Sequence, residues 1–180
     1  MFTNLTLLLA RLSLAASYKL LANWDAVDAQ TARHLYMGPD FTHEEAGIIR
    51  EAAEAWSHFC PQKIYVWSSE SVTEVSAGDF SSVVVKQGFG GSTVLSAFIT
   101  QEGIILTDTD VQLMTGLWGG QLYNVALHEF GHVLGLDHSV QGTVMGYALA
   151  LGRDGAVLPA ERVPLTIDDV RGCWASAYGS

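Results

Sequence analysis

Three of the six histidines in this chain stand in one short run, His128-Glu129-Phe130-Gly131-His132-Val133-Leu134-Gly135-Leu136-Asp137-His138. His128 and His132 lie four positions apart, so on a helix both imidazoles project from one face, one turn apart. That spacing lets two ring nitrogens reach one metal ion. Gly135 accepts a positive φ, which lets the chain leave the helix and turn back so that His138 supplies a third nitrogen. Three neutral imidazoles with a fourth position open make a catalytic zinc arrangement, whereas a structural site is closed by a fourth protein ligand. Glu129, beside the first histidine, is placed to address a water on the metal rather than the metal itself. A carboxylate there is a general base, and the chemistry it serves is hydrolysis by a metal-activated water. Any one of these histidines alone reads as an ordinary solvated side chain; the complete spacing makes the site.

Such a site needs a helix and a turn held by a scaffold. Gly119-Gly120 precedes a helix expected from about 121 to 134. Upstream, Arg33–Met37 reads as a strand closed by Gly38-Pro39-Asp40. Thr42 then opens a helix, with Glu45 completing a capping box three residues on. Ile48, Ile49, Ala52, Trp56 and Phe59 line one face of that helix, and Cys60-Pro61 ends it. Strands are expected at Lys63–Trp67, Ser82–Lys86, Thr93–Ile99 and Gly103–Thr107, runs rich in β-branched and aromatic residues. Thr166 caps a last helix reaching Tyr178, with Asp168 and Asp169 in its first turn, the favourable end for carboxylates. The pattern is one α+β domain whose strands come early and whose key helix comes late. Residues 23–180 form that domain, preceded by an N-terminal segment, 1–22. In that segment Leu5, Leu8, Leu9, Leu12, Ala16 and Leu20 recur at the spacing of an amphipathic helix. The same stretch, with the small-residue exit Ser13-Leu14-Ala15-Ala16, also fits a secretory signal peptide, and both readings stand.

Composition sets the outer bounds. The chain has 180 residues, one domain's worth, of which 49% are hydrophobic and 16% charged, so a disordered polyelectrolyte is excluded. Nine Lys and Arg face nineteen Asp and Glu, a net charge of -10. No basic cluster exists to neutralise phosphates, which argues against a nucleic-acid partner. No run of 18 apolar residues occurs, so no integral membrane segment is expected. Cys60 and Cys173 form no CxxC pair. They join if the first and last long helices pack together, and are buried free thiols otherwise. His34, His43 and His58 have no ligand-spaced partners and read as surface residues, with Glu54 and His58 as an i,i+4 pair.

The run from His128 to His138, followed by Thr143-Val144-Met145-Gly146-Tyr147, resembles the metzincin metallopeptidases, marked by HExxHxxGxxH and a methionine turn. Within them the chain looks most like the matrixins, the matrix metalloproteinase group. Leu122-Tyr123-Asn124-Val125-Ala126-Leu127-His128 is similar to their active-site helix. Leu165-Thr166-Ile167-Asp168-Asp169-Val170-Arg171-Gly172 is similar to their C-terminal helix. The resemblance spans roughly 33 to 179 and is strongest from 122 to 147.

It implies a zincin-like catalytic domain: a mixed twisted sheet with an active-site helix and a C-terminal helix. It also implies a secreted zinc endopeptidase acting on protein or peptide substrates. His128, His132 and His138 would hold one zinc ion (Zn2+), with Glu129 as general base and Met145 as a packing residue beneath the ligands. The substrate would lie along the edge strand at Val94, Leu95 and Ser96, and Leu122, Val125 and Tyr147 would line an apolar pocket for the residue after the cleaved bond (P1′). Matrixins usually carry a second, structural zinc on histidines. Here Ser96 and Leu106 stand at two such positions and the loop from Lys86 to Thr93 has no histidine, so no structural zinc is expected. Asp108 and Asp110 resemble an acidic tail that helps bind calcium (Ca2+) in the family, with a solvated loop as the alternative. The reading from a different class is a catalytically inactive zinc-containing module that binds a protein partner. Glu129 argues against it, because such a module needs no base there.

Overall fold

The computed structural model describes residues 19–20, 23–24, 32–68, 82–87, 92–100, 103–139, 144–146 and 160–178. In chain order the elements are strands β1 (Lys19–Leu20), β2 (Asn23–Trp24) and β3 (Arg33–Met37), helix α1 (His43–Phe59), strands β4 (Ile64–Ser68), β5 (Ser82–Gln87), β6 (Ser92–Thr100) and β7 (Gly103–Met114), helix α2 (Gly119–Val133), strand β8 (Leu136–Asp137) and helix α3 (Ile167–Tyr178). The main sheet runs β4-β3-β5-β7 in parallel pairs, with β2 also parallel to β7 and β6 antiparallel to it. This is the mixed sheet and the α+β class expected.

The first helix forms as its sequence demands. Thr42 accepts from the Glu45 backbone N–H, and the Glu45 carboxylate accepts from the Thr42 backbone N–H at 2.7 Å, a complete capping box. Ile48, Ile49, Ala52 and Trp56 are buried in one core with Leu35, Met37, Ile64 and Val66, the buried residues of β3 and β4. Phe59, expected on that face, is instead 50% exposed, because it closes the helix beyond the covered turn. Trp56 Nε1 donates to the Leu127 carbonyl at 2.7 Å in the core, locking α1 against α2.

Two features depart from the expected elements. β7 continues seven residues past Thr107, so Asp108 and Asp110 lie in a strand, opposite Ser96 and Val94, rather than in a solvated loop. Thr109, Val111 and Leu113 are buried in alternation, a period of two that the low strand propensity of aspartate obscured. The second is a two-stranded antiparallel sheet of β1 and β8, pairing Lys19 with Asp137 and Leu20 with Leu136. Lys19 and Leu20, at the end of the expected N-terminal segment, are therefore extended; residues 1–18 lie outside the described residues.

Cys60, the C-cap of α1, is disulfide-bonded to Cys173 in α3, so the first of the two open readings holds. Trp174 Nε1 donates to the Phe59 carbonyl beside it. Ser176 Oγ donates to the Leu134 carbonyl at 2.6 Å, bracing the end of α2. The last helix thus grips both others.

Candidate metal centre

Helix α2 is buried around almost its whole circumference, from Asn124 through Val133. Its polar side chains His128, Glu129 and His132 therefore lie out of water and need specific partners. His128 Nδ1 is 2.6 Å from the Val144 carbonyl, and His132 Nδ1 is 2.7 Å from the Leu136 carbonyl. A carbonyl oxygen only accepts, so each Nδ1 carries the proton and each Nε2 keeps its lone pair. These main-chain latches are the outer partners that orient ligating imidazoles.

Gly135 supplies the turn. Its φ is +87°, and its N–H donates to the His132 carbonyl as the helix ends. The chain then enters β8 and delivers His138, whose backbone N–H is held by Asp137 Oδ1 at 2.7 Å. The ligand atoms of His128, His132 and His138 all lie within 4.8 Å of one another, the one such cluster of His, Cys, Asp or Glu among the described residues. The donor set also fits a cation chemically. His128 Nε2 is buried with no hydrogen-bond partner among the described residues, an orphan that a bound metal would satisfy. Burial first, and the neighbouring His132 second, push the His128 pKa down to about 3. Burial likewise lowers that of His132. Both rings are then neutral at pH 7, the form that binds metal.

Glu129 is 2% exposed. Burial pushes its carboxyl up to about 7, opposed by a hydrogen bond from Thr93. The Thr93 hydroxyl, on β6, stands 2.6 Å from Glu129 Oε2 and 3.2 Å from the Glu129 carbonyl oxygen.

Met145 is buried in the core. A Cβ added at Gly131 would fall 2.2 Å from Met145 Sδ, so the glycine between the two helical histidines is the seat of the methionine. The Met145 carbonyl accepts from the Ser139 N–H at 2.7 Å, joining the turn to the segment that follows His138. Of the other expected site residues, Leu122 and Val125 are buried in the core cluster. Leu95 and Ser96 lie on β6, which pairs with β7 alone among the described residues and breaks register between Ser96 and Ala97. Tyr147 lies outside the described residues. Sequence spacing missed Thr93, which is 36 positions from Glu129, and the carbonyls of Val144 and Leu136, which carry no side-chain signal at all.

The model of the matrixin family matches residues 31–179. Among solved structures, the chain is similar to high choriolytic enzyme 1, a hatching enzyme zinc-protease from the medaka fish Oryzias latipes. The two share 12% identity with a TM-score of 0.51 over 87% of this chain and 94% of the other. At that identity the likeness speaks for the fold, and it agrees with the zincin-like architecture expected.

Proposed function

Since the chain belongs to the matrixin family and is accordingly a zinc metalloendopeptidase, we propose that His128, His132 and His138 hold one catalytic zinc ion and that Glu129 is the general base of peptide-bond hydrolysis. The observation that carries this is the buried, unpartnered Nε2 of His128, whose Nδ1 is already committed to the Val144 carbonyl.

Zinc, when bound, supplies Lewis acidity that activates water and polarises the scissile carbonyl. Glu129 takes the proton from the attacking water and then delivers it to the leaving amine nitrogen, so one carboxylate serves as base and then as acid. Its burial suits both halves, because a carboxyl near neutrality both accepts and returns a proton readily at pH 7. The outer edge of β6 receives an extended substrate at Val94, Leu95 and Ser96 by main-chain hydrogen bonds, which give affinity with little demand on sequence. Leu122, Val125 and Tyr147 line the P1′ pocket and favour an apolar residue there. One methylene in such a pocket is worth only about 1–3 kcal/mol, so the preference is graded. We place the protein outside the cell, a reading supported by the Cys60–Cys173 disulfide, since such bonds persist in oxidising compartments.

Metal analysis combined with cleavage of a mixed peptide library tests this reading. One zinc per chain and cuts before Leu-sized apolar residues are expected. Two tightly held zinc ions would overturn the stoichiometry, charged residues favoured after the cut would overturn the pocket, and zinc without cleavage would favour a binding module.

A further inference from the structure

We infer that Thr93 is a positioning residue that fixes the Glu129 carboxylate to strand β6, the strand on which the substrate is proposed to lie. This rests on the reading of Glu129 as the base. A glutamate has three rotatable side-chain torsions, and a buried base must be held in one of them to meet its water. Here the hold comes from a single hydroxyl. Thr93 Oγ1 is 2.6 Å from Glu129 Oε2 and 3.2 Å from the main-chain oxygen of the same residue. The hydroxyl has one proton to give, and the shorter, charged acceptor receives it as a charge-assisted bond.

Threonine is suited to this role because its branched Cβ restricts the first side-chain torsion. Its backbone is set by the sheet, with Thr93 opposite Val111 in the β6–β7 ladder. The carboxylate is therefore indexed to the sheet as well as to its own helix. The remaining oxygen, Oε1, is left for the proton that moves. Both hydrogen bonds of the hydroxyl go to Glu129, so its effect on the reaction passes through that residue.

The test is a steady-state comparison of Thr93→Val, Thr93→Ala and Thr93→Ser, each alone and combined with Glu129→Ala, with zinc content and melting measured for every variant. Thr93→Val keeps the shape and removes the hydroxyl; Thr93→Ala removes it in a second context should the valine variant not fold. Loss of a hydrogen bond to a charged group is expected to lower kcat about 10- to 100-fold with KM little changed. Thr93→Ser should recover most of that loss. In the Glu129→Ala background, removing the hydroxyl should cost nothing further. A folded, zinc-loaded Thr93→Val or Thr93→Ala with kcat within about twofold of the parent would overturn the inference while leaving the base in place. So would a serine variant as impaired as the valine one, or an equal loss in the Glu129→Ala background. Near-parent turnover in Glu129→Ala alone would overturn the base itself, and Thr93 with it.

Discussion

His34 and His128 are both hydrogen-bonded through Nδ1, and the two bonds run in opposite directions. At His34, on the outer face of the sheet, Trp67 Nε1 donates to Nδ1 at 2.9 Å. The indole N–H can only donate, so the Nδ1 lone pair of His34 is occupied and the ring's proton sits on Nε2. Its ring stacks on Trp67, 5° from parallel, with Tyr65 beside it. At His128 the partner is the Val144 carbonyl, which can only accept, so the proton sits on Nδ1 and the lone pair on Nε2 points into the cluster. Aromatic company does not separate them either, because His128 also has ring neighbours, His132 and His138. The partner's polarity does. A carbonyl behind the ring prepares a metal ligand, and a donor behind it prepares a surface histidine.

Substitution separates the two histidines. His128→Ala should abolish zinc retention and cleavage, a larger effect than the roughly 10–100-fold cost of losing an outer partner. His34→Ala should leave zinc content and turnover at parent levels. Metal analysis after dialysis, alongside peptide cleavage, measures both. Equal zinc loss in the two variants would mean that the direction of the hydrogen bond does not mark the ligand.

A pH profile sharpens the point. Burial lowers His128 to about 3 and shifts His132 in the same direction, so these two rings stay neutral as the pH drops below the ordinary histidine range. Burial raises Glu129 to about 7, and only the ionised carboxylate accepts a proton. Activity should therefore fall as pH drops through the Glu129 pKa, while zinc is still held. A cation beside Glu129 favours its ionised form, so the midpoint should lie at or below 7. The pH dependence of kcat/KM, with zinc content followed in parallel, checks this. An acid limb that coincides with zinc release would assign it to the histidines instead.

The smallest effect is expected under the cluster. Met145→Leu keeps volume and should cost less than about 1.5 kcal/mol, with zinc retained. Gly131→Ala should cost more, about 1–3 kcal/mol, because its new Cβ would meet Met145 Sδ at 2.2 Å inside the core. Thermal melts with and without a chelator rank the two. Loss of zinc from Met145→Leu would show that the methionine does more than fill space.

What could be read before the fold was known follows from sequence distance. The histidine spacing, the Gly135 turn and the Thr42–Glu45 cap are local patterns, each complete within about three helical turns. The Cys60–Cys173 bond joins residues 113 apart, and nothing local distinguishes it from two free thiols. Thr93 meets Glu129 only because β6 and α2 come together in the fold, and a threonine in a strand carries no mark of that. The Val144 and Leu136 carbonyls, which decide the tautomers, belong to the backbone and would look the same for any residue. The length of β7 was hidden for another reason: Asp108 and Asp110 imitate a loop, while the inward alternation of Thr109, Val111 and Leu113 decides the structure.

In the proposed reaction a zinc held by three histidines works through one neighbouring carboxylate, and Glu129→Ala separates the two parts. The variant should fold and keep one zinc on His128, His132 and His138. Its kcat on a peptide substrate should fall by about 10²–10⁴-fold, the range a general base supplies. Zinc retained with turnover near that of the parent would rule out Glu129 as the base, because the metal would then be acting without this carboxylate.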